Sequence, residues 1–224
     1  MIVLFYYFFL QPKILKNMKT MLMRWAIFAL CVLPFCKKAE AQVSVGPEVG
    51  FTAAGLYSDE SDVYAGINLH VGATAHFQLT DFLAVRPSLL FKTGSMMYAD
   101  YSDETYSMNR ISIPVPIMYS HVFGNSSTLF GGLGPNFMYN LSGKYKSEGV
   151  SSKIEFGSNE GQMKRFDMGL QFKGGYQFAG GLSLSTFLNL GLSNLSNVPG
   201  NNLKTMDALG FSIGWMFGGN SSDY

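Results

Sequence analysis

Cysteine and charge are scarce in this 224-residue chain. The two cysteines, Cys31 and Cys36, both lie in an apolar segment before residue 42. The chain after that segment therefore has no disulfide and no thiol chemistry. Charged residues make up 14% of the chain, whereas about 25% is usual in a soluble domain. No apolar run of about 20 residues follows Gln42, which excludes a helical inner-membrane protein on length.

The first 41 residues have the order of parts that is typical of a secretory signal peptide. The parts are a start at Met18, positive charge at Lys19 and Arg24, an apolar run over residues 25–35, and an A-x-A site at residues 39–41. We predict cleavage before Gln42, which leaves residues 42–224 as the mature domain. Residues 1–17 are interpreted as the product of an upstream start codon, with a true N-terminal extension or second anchor as the alternative.

Removal of this segment changes the charge balance of the chain. Six of the 16 Lys and Arg residues and one of the 15 Asp and Glu residues lie in it, which leaves 10 basic and 14 acidic residues and a net charge of −4. Nothing in this charge balance indicates a nucleic-acid surface, so we predict no nucleic-acid partner.

Alternation of apolar and polar residues is the main feature of what remains. Over residues 66–91 the apolar residues occupy the odd positions, and polar residues such as His70, His76 and Arg86 lie between them. A period of two predicts a strand with one apolar and one polar face. Both strands keep the same phase only if the turn between them has an odd number of residues, and residues 79–81 satisfy this condition.

The same alternation continues to the C-terminus and predicts eight strands of about ten residues. Long polar loops (residues 55–65, 98–106, 142–163 and 194–202) alternate with short turns (residues 79–81, 124–127 and 179–181). Pro114 and Pro116 fall inside the fourth strand and predict a bend or bulge there. The pattern is typical of an all-β, eight-stranded, antiparallel up-and-down transmembrane β-barrel with both termini on the short-turn, periplasmic side.

Aromatic residues cluster at the strand ends beside the short turns and the C-terminus. They predict a periplasmic aromatic girdle at a membrane interface, formed by Phe77, Phe82, Tyr119, Phe123, Tyr176, Phe178, Trp215 and Phe217. A soluble lipocalin-like barrel is the alternative, and it would place the apolar face inside without needing such a girdle.

The polar face of the strands is expected to line a narrow lumen. An eight-stranded barrel is just wide enough for side chains to fill it. The predicted lumen residues are Glu48, His70, His76, Arg86, Asp167, Gln171 and Lys173. His70 and His76 lie about 20 Å apart along one strand, so they cannot hold one metal ion. We expect no metal, no cofactor and no catalytic residues, although Ser120 and His121 leave a lipid-modifying hydrolase as an alternative.

Several segments resemble the PorT-family outer-membrane β-barrel proteins of Gram-negative bacteria, also labelled porin-family proteins. The similar segments are residues 45–50 (VGPEVG), 111–119 (ISIPVPIMY), 131–139 (GGLGPNFMY), 174–176 (GGY), 190–194 (LGLSN) and 213–217 (IGWMF). The resemblance covers most of the mature chain and implies an eight-stranded outer-membrane barrel. Some members of that family are linked to protein secretion and surface sorting.

The sequence thus predicts a bacterial outer-membrane protein that contacts lipid and the barrel-insertion machinery. Its expected role is structural or interactive, through long extracellular loops that meet a protein partner, with an association with secretion or surface assembly. A small porin or transporter for an unknown solute and a lipid-modifying outer-membrane enzyme are the alternative functions.

Overall fold

The computed structural model describes residues 43–58, 63–98 and 104–218. The predicted signal peptide and its cleavage site lie outside these residues. The strands are β1 (Val43–Ser58), β2 (Val63–Gln78), β3 (Leu83–Val85), β4 (Ser88–Tyr98), β5 (Thr105–Pro114), β6 (Ile117–Val122), β7 (Thr128–Ser147), β8 (Val150–Lys153), β9 (Phe166–Gln177), β10 (Leu182–Gly191), β11 (Leu203–Trp215) and β12 (Phe217–Gly218). Within the described residues, no helix is long and apolar enough to cross a membrane.

The strands close into one antiparallel ring. Strand β1 pairs with β2 on one side and with β11 on the other, so that the first and last long strands meet. The pairs β3 and β4, β5 and β6, and β11 and β12 are successive segments of single barrel strands, while β8 pairs only with the end of β7. The ring therefore has the eight strands that the sequence predicts.

Proline interrupts two neighbouring barrel strands at the same level. The fourth strand breaks between β5 and β6 at Pro116, which confirms the predicted irregularity, and the third breaks between β3 and β4 at Pro87. Proline has no N–H group to donate to the ladder. Two backbone hydrogen bonds still join neighbouring strands at this level: the Arg86 amide donates to the Pro116 carbonyl (3.1 Å), and the Val115 amide donates to the Pro135 carbonyl (2.8 Å).

Three short turns join strands at the end where the chain termini pair. The turn of residues 179–181 is closed by the Phe178 amide on the Leu182 carbonyl at 2.8 Å, which confirms its predicted length. Gly181 has a φ of +87° there, a conformation that residues with a Cβ rarely adopt. The turn after β2 also has three residues, because the Leu79 amide donates to the Leu83 carbonyl at 2.8 Å. It spans residues 80–82, one position later than predicted, and Phe77 pairs with Val85 in the predicted phase.

The hairpins at the other end are longer than the sequence predicts. The predicted loop of residues 55–65 is wrong, because β1 continues to Ser58 and β2 begins at Val63, with Tyr57 paired to Val63. Strand β7 continues to Ser147, so the predicted loop of residues 142–163 begins too early. Val150 lies in β8 and extends this hairpin beyond the sheet, as the apolar residues inside the predicted loop suggest. Polar composition predicts loops there, but ladder pairing with the neighbouring strand keeps these residues in strands.

Candidate functional site

Alternation along each strand sends one set of side chains into the ring and the other set outward. All seven residues predicted to line the lumen are buried, at 9% exposure or less: Glu48, His70, His76, Arg86, Asp167, Gln171 and Lys173. The outward set contains most of the large apolar side chains, many of them about half exposed. The interior of this barrel is therefore polar and charged, and its exterior is apolar.

One buried ion pair joins β9 to β1. The Lys173 ammonium donates to Glu48 Oε1 at 2.7 Å, and both side chains are almost completely buried. His70 Nε2 lies 3.9 Å from the same carboxylate oxygen and 3.0 Å from Ser212 Oγ. Gly50 lies beside this contact, and a Cβ there would stand 2.6 Å from His70 Cε1. The same Cβ would stand 2.0 Å from the Phe211 carbonyl oxygen, so the absence of a side chain at Gly50 makes room for both the neighbouring strand and the imidazole.

A second buried ion pair joins β4 to β11. The Lys92 ammonium donates to Asp207 Oδ2 at 2.6 Å, and the Asn189 amide donates to the same oxygen at 2.7 Å. The Phe187 ring lies beside this pair. Its centroid is 5.4 Å from Lys92 Nζ and 5.5 Å from the centroid of the His70 ring. Phe187 therefore lies near Lys92 of the second pair and near His70, which lies next to the first pair.

Arg86 occupies the proline break, near the end with the short turns. Its Nη2 donates to Ser183 Oγ at 2.9 Å, and its Cζ lies 4.1 Å from the centroid of the Phe130 ring. Phe130 packs with Ala84 and Met118 in a small buried apolar cluster. The guanidinium is thus held against an aromatic face by a cation–π contact, and an apolar layer lies at this end of the lumen.

The remaining predicted lumen residues do not join the two ion pairs. Thr205 donates to Asp167 Oδ2 at 2.6 Å, between β11 and β9. His76 lies 2.8 Å from Gln78 Oε1, close to the first short turn. Gln171 is buried, and its Oε1 has no hydrogen-bond partner among the described residues.

Arg110, whose charge the sequence also predicts in the interior, is buried. Two charged interior residues are missing from the prediction, Lys92 and Asp207. Lys92 follows the alternation and could have been included by phase alone. Asp207 could not, because it has the same odd phase as the outward Leu209 and Phe211. In the ladder between β1 and β11, Ala53 is paired with Leu209, but the next residue, Ala54, is paired with Asp207. One residue of β11 is skipped there, which is a β-bulge. The bulge turns Asp207 inward.

The end of the barrel opposite the termini is covered by apolar side chains. The buried cluster there comprises Ala54, Leu56, Met96, Met108, Met163 and Leu195, and Tyr106, Ile154, Phe156 and Leu203 pack against it. Met163 and Leu195 come from the connections after β8 and β10, not from the wall of the ring. The segment after β8 therefore folds back over the lumen, and two apolar layers enclose the charged interior.

The outward face has the dimensions of a membrane-spanning surface. Outward residues of β7 run from Leu129 to Tyr139, ten residues of about 3.3 Å each, which at a tilt of about 40° span about 25 Å. This height matches the apolar band of transmembrane barrels, about 25 Å. Above it the outward side chains become polar, since Thr93 donates to Asn109 (2.7 Å) and Asn109 donates to Ser142 (3.0 Å).

The eight aromatic residues predicted to form a girdle all lie towards the short-turn end of the outer face. Seven of them are exposed and Tyr176 is half-buried. Several are neighbours, with ring centroids 6.4 Å apart for Phe82 and Tyr119 and 5.0 Å apart for Tyr176 and Phe178. Their contact with a lipid interface stays a prediction.

The histidines do not form a catalytic arrangement. His70 meets Ser212 and Glu48 through the same nitrogen, Nε2, whereas a catalytic histidine uses one nitrogen for the nucleophile and the other for the acid. Ser120 is buried and His121 is exposed, because successive strand residues point to opposite faces. Among the described residues, no group of three His, Cys, Asp or Glu side chains could hold a metal ion.

A closed eight-stranded ring with an apolar exterior of membrane height and a charged interior defines the class of transmembrane β-barrels. Residues 37–197 match the family described as outer membrane protein beta-barrel domain, and the chain belongs to that family. The protein is therefore an outer-membrane β-barrel. A search of curated proteins gave no match.

Among solved structures, one outer-membrane protein with a TM-score above 0.5 has a similar fold. The outer membrane protein OprG from Pseudomonas aeruginosa is similar with a TM-score of 0.52 and 12% identity, over 79% of this chain and 96% of that one. Neisserial surface protein A matches with a TM-score of 0.47 and 13% identity, over 80% and 100% of the two chains. Ail, the attachment invasion locus protein of Yersinia pestis, matches with a TM-score of 0.41 and 14% identity, over 79% and 99%.

Proposed function

We propose that this barrel does not conduct and that it acts as a structural or interaction protein of the outer membrane. The main observation that supports this proposal is that buried side chains from distant strands of the barrel contact each other across the lumen. Lys173 and Glu48 lie on barrel strands that are three positions apart in the ring, as do Lys92 and Asp207. Arg86 and Ser183 lie on strands four positions apart, the largest separation that eight strands allow.

The filling of the lumen argues against the porin alternative. The interior ion pairs, at 2.6 Å and 2.7 Å, place charged side chains in contact across the lumen at their level. The apolar clusters above and below would also have to part before a hydrated ion could pass. Transport of a solute would need all of these layers to rearrange.

The enzyme alternative has little support from the geometry. A lipid-modifying hydrolase needs an accessible nucleophile, a base and an orienting acid in one place. Ser120 and His121 point to opposite faces of the sheet, and Ser212 and His70 are buried in the lumen. We therefore propose that the protein is not an enzyme.

The hairpins opposite the termini are the proposed interaction surface. Strand β7 has 20 residues and β1 and β2 have 16 each, whereas a membrane crossing needs about 9–11. The extra residues of these strands extend beyond the apolar band at the end of the barrel that has the long connections. In bacterial barrels this is the extracellular end. We propose that the termini are periplasmic and that these hairpins meet a protein partner. The PorT resemblance favours a partner in secretion or surface assembly.

Planar-bilayer recording tests the closed lumen. We expect no stable conductance step from the folded wild-type chain. A variant with Glu48, Lys92, Lys173 and Asp207 all changed to alanine removes both ion pairs and serves as the comparison, since it should conduct more readily if it folds. A stable ohmic step from the wild-type protein would overturn the proposal and support the porin alternative.

Surface labelling tests the orientation. An epitope inserted at Gly161, in the exposed connection after β8, should be accessible to antibody on intact cells. The same epitope at Gly180, in a short turn, should be labelled only after the outer membrane is permeabilised. The reverse pattern would show that the long hairpins face the periplasm.

A further inference from the structure

The guanidinium of Arg86 is a buried charge without a carboxylate partner of its own. Arg86 is 2% exposed, and none of the ion pairs among the described residues includes it. Its Nη2 donates to Ser183 Oγ, but Nε and Nη1 have no hydrogen-bond partner in the described part of the chain. The Phe130 ring offsets part of the cost of burying this charge. Arginine is almost never fully buried unless it is paired, so Arg86 lacks a counter-charge.

The charges inside the lumen do not balance. Histidine side chains take a positive charge or none, so His70 and His76 supply no negative charge. Among the described residues, the other buried ionisable side chains are four cations and three carboxylates, which leaves an excess of one positive charge: Arg86, Lys92, Arg110 and Lys173 against Glu48, Asp167 and Asp207.

The half of the lumen towards the long hairpins is balanced. The Lys92 ammonium donates to Asp207 at 2.6 Å. The charges of Asp167 and Asp207 both act on Arg110. Two cations therefore meet two carboxylates in this half, and the excess charge lies elsewhere.

The excess lies in the half that holds Arg86. Of the described residues, Glu48 is the buried carboxylate there, and it accepts a hydrogen bond from Lys173 at 2.7 Å. The charge of Glu48 also attracts Arg86, whereas Arg86 and Lys173 repel each other. One carboxylate thus meets two cations, and neutralisation of Arg86 needs a further negative charge.

The guanidinium lies in an enclosed region that also supplies a hydroxyl donor. Arg86 Cζ lies 4.1 Å from the centroid of the Phe130 ring. Ser120 is directly opposite Phe130 in the ladder, and its buried hydroxyl has no hydrogen-bond partner within the described residues. The apolar cluster that includes Phe130 lies on the side of the short turns. Donors without acceptors therefore face a region that is closed to large ligands.

We propose that Arg86 binds one small monovalent anion, such as chloride, inside the lumen. The free N–H groups of the guanidinium hold the anion, and Ser120 Oγ is a further donor beside it. One monovalent anion cancels the excess of one positive charge, whereas a dianion would leave a negative charge buried without a partner. An ion held in this way is compatible with a lumen that does not conduct, and bilayer recording tests conduction separately.

Chloride dependence of stability tests the site. The mature chain is refolded in neutral detergent micelles and unfolded with urea in mixtures of sodium chloride and sodium gluconate at constant ionic strength, because gluconate is too large for an enclosed site. An anion that binds only the folded state shifts the unfolding equilibrium by mass action. We expect the equilibrium constant for unfolding to fall about tenfold for each tenfold rise in chloride above the dissociation constant, as one bound ion requires.

Three variants locate the site, and heat-modifiable gel mobility confirms that each is folded. Arg86→Met removes the donors and should abolish the chloride dependence. Lys173→Met leaves Arg86 intact but frees Glu48 to serve as its counter-charge, so it should abolish the dependence as well. Arg110→Met is the matched control, because Arg110 is 3% exposed and belongs to the balanced half. It should retain the dependence.

Bromide in crystals of the wild-type chain gives a second measurement that needs no variant. We expect an anomalous difference peak within hydrogen-bond distance of Arg86 Nε or Nη1. A wild-type chain without chloride dependence, dependence that survives in Arg86→Met or Lys173→Met, or loss of dependence in Arg110→Met would overturn the proposal. Bromide peaks on the protein surface alone, which indicate an adventitious ion only, would overturn it too, and a water molecule at Arg86 would give that result.

Discussion

Removal of one partner of a buried ion pair gives a quantitative test of the interior. Asp207 is 4% exposed and accepts hydrogen bonds from both Lys92 and Asn189. The substitution Asp207→Asn keeps the size of the side chain and removes its charge. The Asn189 amide can still donate a hydrogen bond to the new side chain. The main effect is therefore that Lys92, which is 1% exposed, loses its charged partner.

The size of the loss follows from the distance and the burial. Charges 2.6 Å apart attract each other by about 6 kcal/mol at an effective dielectric constant of about 20. Desolvation of the two groups offsets a large part of this attraction. Without Asp207, the desolvation cost of the buried ammonium stays uncompensated, and we expect a decrease of about 3–5 kcal/mol in the free energy of unfolding.

Urea unfolding in detergent micelles measures this free energy, with Trp215 fluorescence as the probe. The double variant Lys92→Met with Asp207→Asn removes both charges and should be more stable than Asp207→Asn alone by at least about 2 kcal/mol. Asp81→Asn is the control, because Asp81 is exposed in the first short turn and should change stability by less than about 0.5 kcal/mol.

Two outcomes would refute this reasoning. If Asp207→Asn costs no more than Asp81→Asn, then Lys92 is solvated without its partner and the lumen is open to water. If the double variant is less stable than Asp207→Asn, then the residual buried charge is not the cause of the loss. Either result would also weaken the case for a barrel that does not conduct.

Two glycine substitutions test the packing of the interior and of a turn. Gly50→Ala places a methyl group 2.0 Å from the Phe211 carbonyl oxygen and 2.6 Å from His70 Cε1. The backbone of β11 and the imidazole must both shift, so the unfolding free energy should fall by at least about 1–3 kcal/mol; an unchanged value would contradict the observed packing. Gly181→Ala puts a Cβ at a φ of +87° and 2.4 Å from the Met216 carbonyl oxygen, and should cost at least about 1–2 kcal/mol in the same assay. Gly180→Ala in the same turn, which meets nothing within 4 Å, should cost less; equal losses would contradict the backbone strain and the close approach at Gly181.

Sequence periodicity predicts the barrel wall because every strand has one apolar face. Ile67, Leu69 and Val71 are exposed on the outer wall, and the polar residues between them point inward, as the phase predicts. An odd turn length preserves that phase from one strand to the next, as the turn of residues 179–181 does. The position of each strand and the side of the sheet to which each side chain points thus depend on local alternation, which can be read from the sequence.

Features that depend on distant neighbours are not visible in that alternation. The bulge that turns Asp207 inward is a register shift between two strands that are far apart in the chain. The return of Met163 and Leu195 over the lumen depends on apolar residues scattered through polar connections. The partners of Lys92 and Lys173 likewise depend on which strands face each other across the ring, and only closure of the sheet determines that.

Quenching of Trp215 by brominated lipids tests the central claim that the apolar exterior faces a bilayer. Trp215 is exposed on the outer face near the short-turn end, and cleavage before Gln42 would leave it as the only tryptophan, because the other of the two is Trp25. We expect strong quenching by lipids with bromine near the headgroup end of the acyl chain and weaker quenching by bromine near the bilayer centre. Absence of quenching at every depth would contradict a lipid-facing exterior and favour a soluble barrel.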